Sequence, residues 1–170
     1  PLTIVTDKAT DVYYGETIRL SAMGGSGNGA IQWSIDDNNA NVAVVTSSSG
    51  NNCVVTVTGT GGFSVKAYKA AVGGYSESNE DTVAFNANPK PVTPVVTAAN
   101  KLYDGGLNAT LNAVWKSGDL VGSDEIELTV TGEFLTADVG IGKQVKVISH
   151  SATGANVNKY EITWPQSTTA

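Results

Sequence analysis

The sequence predicts an all-β fold built as two small β-sandwich modules in tandem, joined by a Pro-rich linker. Apolar and polar residues alternate over short runs, the pattern of half-buried strands, and no segment shows a convincing helical period. Turn residues separate these runs, with 19 glycines among them and abundant Ser, Thr and Asn. Three of the five prolines fall within Asn86-Ala-Asn-Pro-Lys-Pro-Val-Thr-Pro94. Proline fixes φ and cannot donate to a ladder, so this run is expected outside either sheet as an extended, semi-rigid spacer. The division expected is a module over residues 1–87, a linker over 88–94 and a second module over 95–170. A domain of about 85 residues buries about three-fifths of its unfolded surface, enough for a core of its own.

In the first module, Leu2–Thr6 reads as a strand followed by a turn at Asp7-Lys8. Thr17–Ala22 places Ile18, Leu20 and Ala22 on one face. The run Gly24-Gly-Ser-Gly-Asn-Gly29 lacks the spacing of a phosphate-binding loop and reads as a chain reversal. Ala30–Ile35 puts Ile31, Trp33 and Ile35 together, and Asp36-Asp-Asn-Asn39 makes a polar turn. A strand near Val42–Val45, a turn over 47–52, and strands over Cys53–Thr58, Phe63–Tyr68 and Asp81–Phe85 complete the half. Cys53 shares a face with Val55 and Val57 and reads as a small buried hydrophobe. About seven short strands bounded by turns are the pattern of a sandwich.

These residues carry a resemblance. Tyr14-Gly-Glu-Thr17, the stretch from Leu20 through Trp33-Ser34, and Gly61-Gly-Phe-Ser-Val-Lys-Ala67 resemble bacterial Ig-like repeats of the group-2-like kind, found along surface adhesins and large cell-wall proteins. The resemblance implies that Trp33 packs in a sandwich core.

In the second half, strands are expected over Val92–Ala98, Asp124–Thr131, Lys143–Ile148 and Lys159–Trp164, with Ile126, Leu128 and Val130 facing inward. Leu107–Trp115 is mixed in pattern, and Gln166–Ala170 reads as the start of a further linker. Tyr103-Asp104-Gly105, the strand from Asp124, Phe134, Val139-Gly140 with Gly142-Lys143, Gly154 and Asn158-Lys-Tyr160 together resemble the YDG-type repeat. That repeat stands in tandem in large bacterial surface proteins, usually beside Ig-like modules, and has no chemical residues to carry over.

Catalysis needs convergent groups. The single histidine, His150, ends a strand without a recognisable nucleophile turn, and one His with one Cys cannot complete a zinc site. Asp36–Asn39 offers four oxygen-bearing side chains but lacks the order of a calcium loop, so a solvated turn is expected. Glu125 and Glu127 share one outer strand face. A Lys–Asn or Lys–Asp crosslink needs a buried lysine, and alternation with valines turns Lys66 and Lys146 outward. Sixteen acidic against ten basic residues give a formal charge of −6, which disfavours nucleic acid and anionic membrane surfaces as partners. No apolar run approaches the roughly 20 residues of a membrane span.

Aromatics remain. Trp115, Trp164, Tyr68 and Tyr75 are candidates for sugar stacking, with Trp115 the preferred ligand contact; the competing role is packing in a core or a seam. The expectation is thus a protein without catalysis or cofactors. The resemblances imply a stalk or spacer of a bacterial cell-surface or secreted protein acting in cell adhesion, located outside the cell or in the bacterial cell wall. The alternative is a carbohydrate- or host-protein-binding module. Partners expected are neighbouring modules of the same polypeptide, with a host glycan or matrix protein as candidate ligands. Starting at Pro1 without an initiator methionine, the chain is expected to be part of a longer polypeptide.

Overall fold

The computed structural model describes residues 1–38 and 40–170, which form two compact units, Pro1–Lys90 and Pro91–Ala170. The fold is all-β. The first unit contains β1 (Leu2–Thr6), β2 (Asp11–Tyr13), β3 (Thr17–Gly24), β4 (Ile31–Asp36), β5 (Ala43–Ser49), β6 (Asn52–Val57), β7 (Gly61–Lys69) and β8 (Asp81–Asn88). They make two four-stranded sheets, β1-β3-β6-β5 and β2-β8-β7-β4.

Period-two alternation turns one face of each sheet inward. Ile18, Leu20 and Ala22 of β3 and Cys53, Val55 and Val57 of β6 are buried in one core with Phe63, Val65 and Ala67 of β7. Phe63 stacks on its ladder partner Phe85 with ring centroids 5.3 Å apart. Burial also pushes the Cys53 thiol pKa up, which keeps it protonated and inert. Ile31, Trp33 and Ile35 share a face as expected but are only partly buried, packed against this core from β4, the edge strand of its sheet.

Two features of this unit differ from the sequence expectation. β2 pairs with β8 in parallel, and three residues are too few for alternation to reveal. β5 runs on to Ser49 through a register shift between Val45 and Ser47, so much of the expected 47–52 turn is strand. The Asp36–Asn39 turn lies partly outside the described residues, at Asn39. Asp36 is ion-paired with Lys66 at 3.1 Å, and the Asp37 carboxylate accepts the Val42 N–H at 2.8 Å.

The second unit is assembled from β9 (Lys90–Val92, whose first residue still counts with the first unit), β10 (Val95–Ala98), β11 (Asn108–Ala109), β12 (Leu111–Val114), β13 (Glu127–Phe134), β14 (Gln144–Thr153), β15 (Tyr160–Ile162) and β16 (Ser167–Thr169). One sheet has the order β11-β13-β14-β16, and β10-β12 and β15-β9 are two-stranded. β11 and β12 flank Thr110 yet belong to different sheets, which is why Leu107–Trp115 shows no single period. Its buried hydrophobic residues are Val92, Val96, Ile126, Val145, Val147 and Tyr160, with Pro94 fully buried as well. Leu128 and Val130 are half-buried on β13, where the ladder to β14 shifts register between Thr131 and Gly132.

The Pro-rich run is not a free spacer. β8 continues to Asn88, whose carbonyl accepts the Tyr14 N–H at 3.0 Å, and β9 pairs with β15, the Val92 carbonyl accepting the Thr163 N–H at 2.9 Å. A two-stranded ribbon tolerates Pro91 because its missing donor can face away from the partner. Gln166–Ala170 is likewise laddered, since β16 pairs with Gln144–Lys146. Strand β13 starts at Glu127, three residues later than expected, because Asp124 is engaged in a polar hub.

Candidate functional site

That hub joins Val121, Asp124, Asn156 and Tyr160 of the second unit. The Tyr160 hydroxyl accepts the Val121 N–H at 2.8 Å and donates to Asp124 Oδ2 at 2.6 Å; Asn156 Nδ2 donates to Asp124 Oδ1 at 2.7 Å. Tyr160 is buried at its ring, so the hydroxyl needs partners and finds them. The segment that begins at Asp124 and the Asn158-Lys-Tyr160 landmark therefore meet in space. Their role is structural, since the hub bonds are made within the unit.

Trp115 sits just after β12, half-buried, and its indole N–H donates to the Ile126 carbonyl at 2.9 Å. The polar edge of the ring is thus spent on the unit's own backbone, which leaves only the remaining ring surface to meet a ligand. Trp164 stacks on His150 with centroids 4.6 Å apart and planes at 13°. That pairing accounts for the chain's one histidine by packing. Tyr68 is half-buried on β7. Tyr75 is 60% exposed on the β7–β8 loop.

The Tyr103-Asp104-Gly105 turn stands out differently. Asp104 Oδ1 accepts the Gly106 N–H and a Lys101 ammonium proton, both at 2.8 Å. The same ammonium donates to the carbonyls of Gly106 and Asn108 at 3.2 and 3.0 Å. The bond from Lys101, then that from Gly106, hold the Asp104 carboxyl below the usual aspartate range. The turn is an Asx turn clamped by a lysine. With its backbone so fixed, it presents Leu102 at 91% and Tyr103 at 70% exposure. Beneath it lies an open cleft of about 330 Å³, closed on the other side by the loop that carries Val139, Ile141 and Lys143, with Phe134 in the wall. Lys143 donates to Thr136 Oγ1 at 2.7 Å. Exposed Leu102, Val139 and Ile141 line the cleft beside polar Asn100 and Asp138, and the ammonium groups of Lys101 and Lys143 are engaged in these bonds.

Acid–base or metal chemistry would need convergent groups. Among the described residues no three His, Cys, Asp or Glu side chains cluster where they could hold a metal ion. Lys66 lies outward, pairing with Asp36 at 3.1 Å and Glu80 at 3.9 Å, and Lys146 is exposed on β14. Glu125 and Glu127 are exposed. Tyr75, one of the aromatic candidates read from the sequence, is exposed, whereas the cleft beside Tyr103 was not found by sequence reasoning as a site. Tyr103 entered only as a landmark, because exposure in a turn has no periodic signature.

Residues 88–170 match the family model of the YDG domain, the resemblance read from Tyr103-Asp104-Gly105 and its spaced companions. The matched segment begins at Asn88 and so takes in β9. No curated protein matches the chain. Among solved structures it is similar to the fibronectin(III)-like modules of Clostridium thermocellum CbhA, at 14% identity and a TM-score of 0.32, covering 98% of this chain and 92% of that one. An all-β chain whose residues 88–170 match the YDG domain is not of a typical enzyme fold; it suits a binding or structural module.

Proposed function

We propose that the chain is a non-catalytic stalk or spacer segment of a bacterial cell-surface or secreted protein that acts in adhesion, an Ig-like module followed by a YDG module. The observation that carries this reading is that paired strand extends into the Pro-rich run, where only Pro89 separates β8 from β9 and the ladder breaks again at Thr93-Pro94. A spacer must carry load through its backbone, and a connector whose flanks are laddered has little slack to give. Neighbouring modules of the same polypeptide are its partners in this reading. Single-molecule pulling tests it. Two rupture events are expected, each releasing about 25–30 nm of chain at the extended length per residue. Extension without resolved ruptures would remove the mechanical role.

A second reading, binding of a host glycan or matrix protein, is favoured by the exposed Tyr75 and Tyr103. Screening the whole chain against glycans and matrix proteins beside Trp115→Ala separates the sites. Binding lost in that variant would place the ligand on the second unit.

A further inference from the structure

We infer that the loop end of the first unit is a binding site for a short neutral oligosaccharide, with Tyr75 as its stacking platform. This rests on the second reading above and locates it away from Trp115.

Three connections meet at this end: the β3–β4 loop, the β5–β6 hairpin turn at Gly50-Asn51, and the β7–β8 loop. The loops of a sandwich gather at its ends, where a rigid scaffold can hold them as a binding surface. Here they are stitched together. The Ala70 N–H donates to the Ala30 carbonyl at 3.0 Å. A Cβ at Gly29 would stand 1.8 Å from the Ala70 carbonyl oxygen, so only glycine permits this approach. Lys69 reaches across to donate to the Gly25 and Gly27 carbonyls, each at 3.2 Å. The glycine run is therefore a shaped loop held by a cation.

Tyr75 is presented by a tight turn. Val72 and Tyr75 exchange backbone hydrogen bonds of 3.2 and 3.0 Å around Gly73-Gly74, both with positive φ. The Tyr75 side chain lies against Gly27, where an added Cβ would meet its Cβ at 3.1 Å. The ring is thus braced at its base and open beyond it. The next residue of that loop, Asn28, lines a cleft of about 360 Å³ together with Ser48, Ser49 and Asn51 of the β5–β6 hairpin.

An exposed aromatic ring braced on Gly27, one residue from a cleft that offers the side chains of Asn28, Ser48, Ser49 and Asn51, matches the two faces of a sugar. Its C–H face packs on the ring, and its hydroxyls find both donors and acceptors in Asn and Ser side chains. Neutrality follows from the charges present. Lys69 spends its ammonium on carbonyls, while Glu77 and Glu80 stand on the β7–β8 loop, which disfavours anionic sugars. Gly, Ser, Asn and Tyr are also the residue types that adaptable loop surfaces use for recognition at low entropic cost.

The test is a set of NMR titrations of the whole 15N-labelled chain with cellotriose, chitotriose and lactose in turn. At least one sugar is expected to shift the amides of Asn28, Ala30, Ser49, Asn51 and Tyr75. Tyr75→Ala should weaken that binding about five- to tenfold, while Tyr75→Phe keeps it, because the ring face carries the contact. Tyr75 is exposed, so its variants are expected to keep the wild-type spectrum elsewhere. Shifts centred on Trp115 or Tyr103, unaffected by Tyr75→Ala, would overturn this site and leave the binding reading standing. Absence of shifts anywhere with all three sugars would overturn this site and leave only a protein ligand to the second reading.

Discussion

The first unit buries apolar side chains from both sheets in one continuous core, whereas the second buries few and adds a polar hub. In the first, Ile18, Val12, Val55 and Val65 are fully removed from solvent. In the second, the chain crosses between sheets at Thr110, and several strands have only two to four residues. Short strands offer few inward positions, so the unit gains less from burial and more from satisfied hydrogen bonds. Two neighbouring sandwiches in one chain thus reach a fold through different balances of hydrophobic and polar terms.

The largest expected effect is in the first unit. Ile18→Ala should cost about 3 kcal/mol, and hydrogen exchange by mass spectrometry should show β3 and β6 losing protection. A cost below about 1 kcal/mol would mean that the core can collapse around the gap, and the contrast with the second unit would weaken.

Next comes the hub. Tyr160→Phe leaves Val121 N–H and Asp124 without their shared hydroxyl and should cost about 2 kcal/mol, read as lost protection in the second unit only. Combined with Asp124→Asn, the loss should fall short of the sum of the singles, as for groups in one network. Additive losses would show that the hub is a set of separate bonds.

Acid should act more mildly. The Lys66 hydrogen bond to Asp36 and the Lys101 hydrogen bond to Asp104 hold these carboxyls below their ordinary 3.8. Burial raises Glu16, but hydrogen bonds from Lys8 and the Tyr13 N–H outweigh it and leave the group below 4.5. A depressed carboxyl contributes stability above its unfolded pKa and loses it as pH falls through the folded one. Lys8 and Lys66, raised by the hydrogen bonds they donate to Glu16 and Asp36, contribute below 10.5 and lose it as pH rises through their raised values. NMR titration of the carboxyl carbons should therefore give midpoints below 3.8 for Asp36 and Asp104. Melting should begin to weaken only below about pH 4, and by little, because these pairs are exposed.

The smallest effect belongs to the Tyr103-Asp104-Gly105 turn. Tyr103→Ala should change stability by less than about 0.5 kcal/mol, since the ring is exposed and the turn is held by Asp104 and Lys101. A larger loss in thermal melting would make Tyr103 a packing residue and shift weight from the hub to the turn.

The central strands were legible because burial on one face writes itself into the sequence at every second residue, as at Ile18, Leu20 and Ala22. The same reasoning placed Cys53, Val55 and Val57. It could not see β2 or β16, whose three residues are recruited by partners distant in sequence. It also took proline as punctuation, although Pro91 sits in a ribbon that needs few donors and Pro94 is fully buried. Of the site, the aromatic types were legible and their exposure was not. Trp115 and Tyr75 look alike as letters; a carbonyl at Ile126 and a glycine turn at Gly73-Gly74 give them different surroundings.

The pairing of Lys90–Val92 with Tyr160–Ile162 also governs how the chain can be dissected. A fragment started at Val95, where composition suggests a module begins, would discard β9 and strip Tyr160–Ile162 of its partner. An unpaired strand is a template for other chains, so such a fragment should self-associate at concentrations where one started at Asn88 stays monomeric.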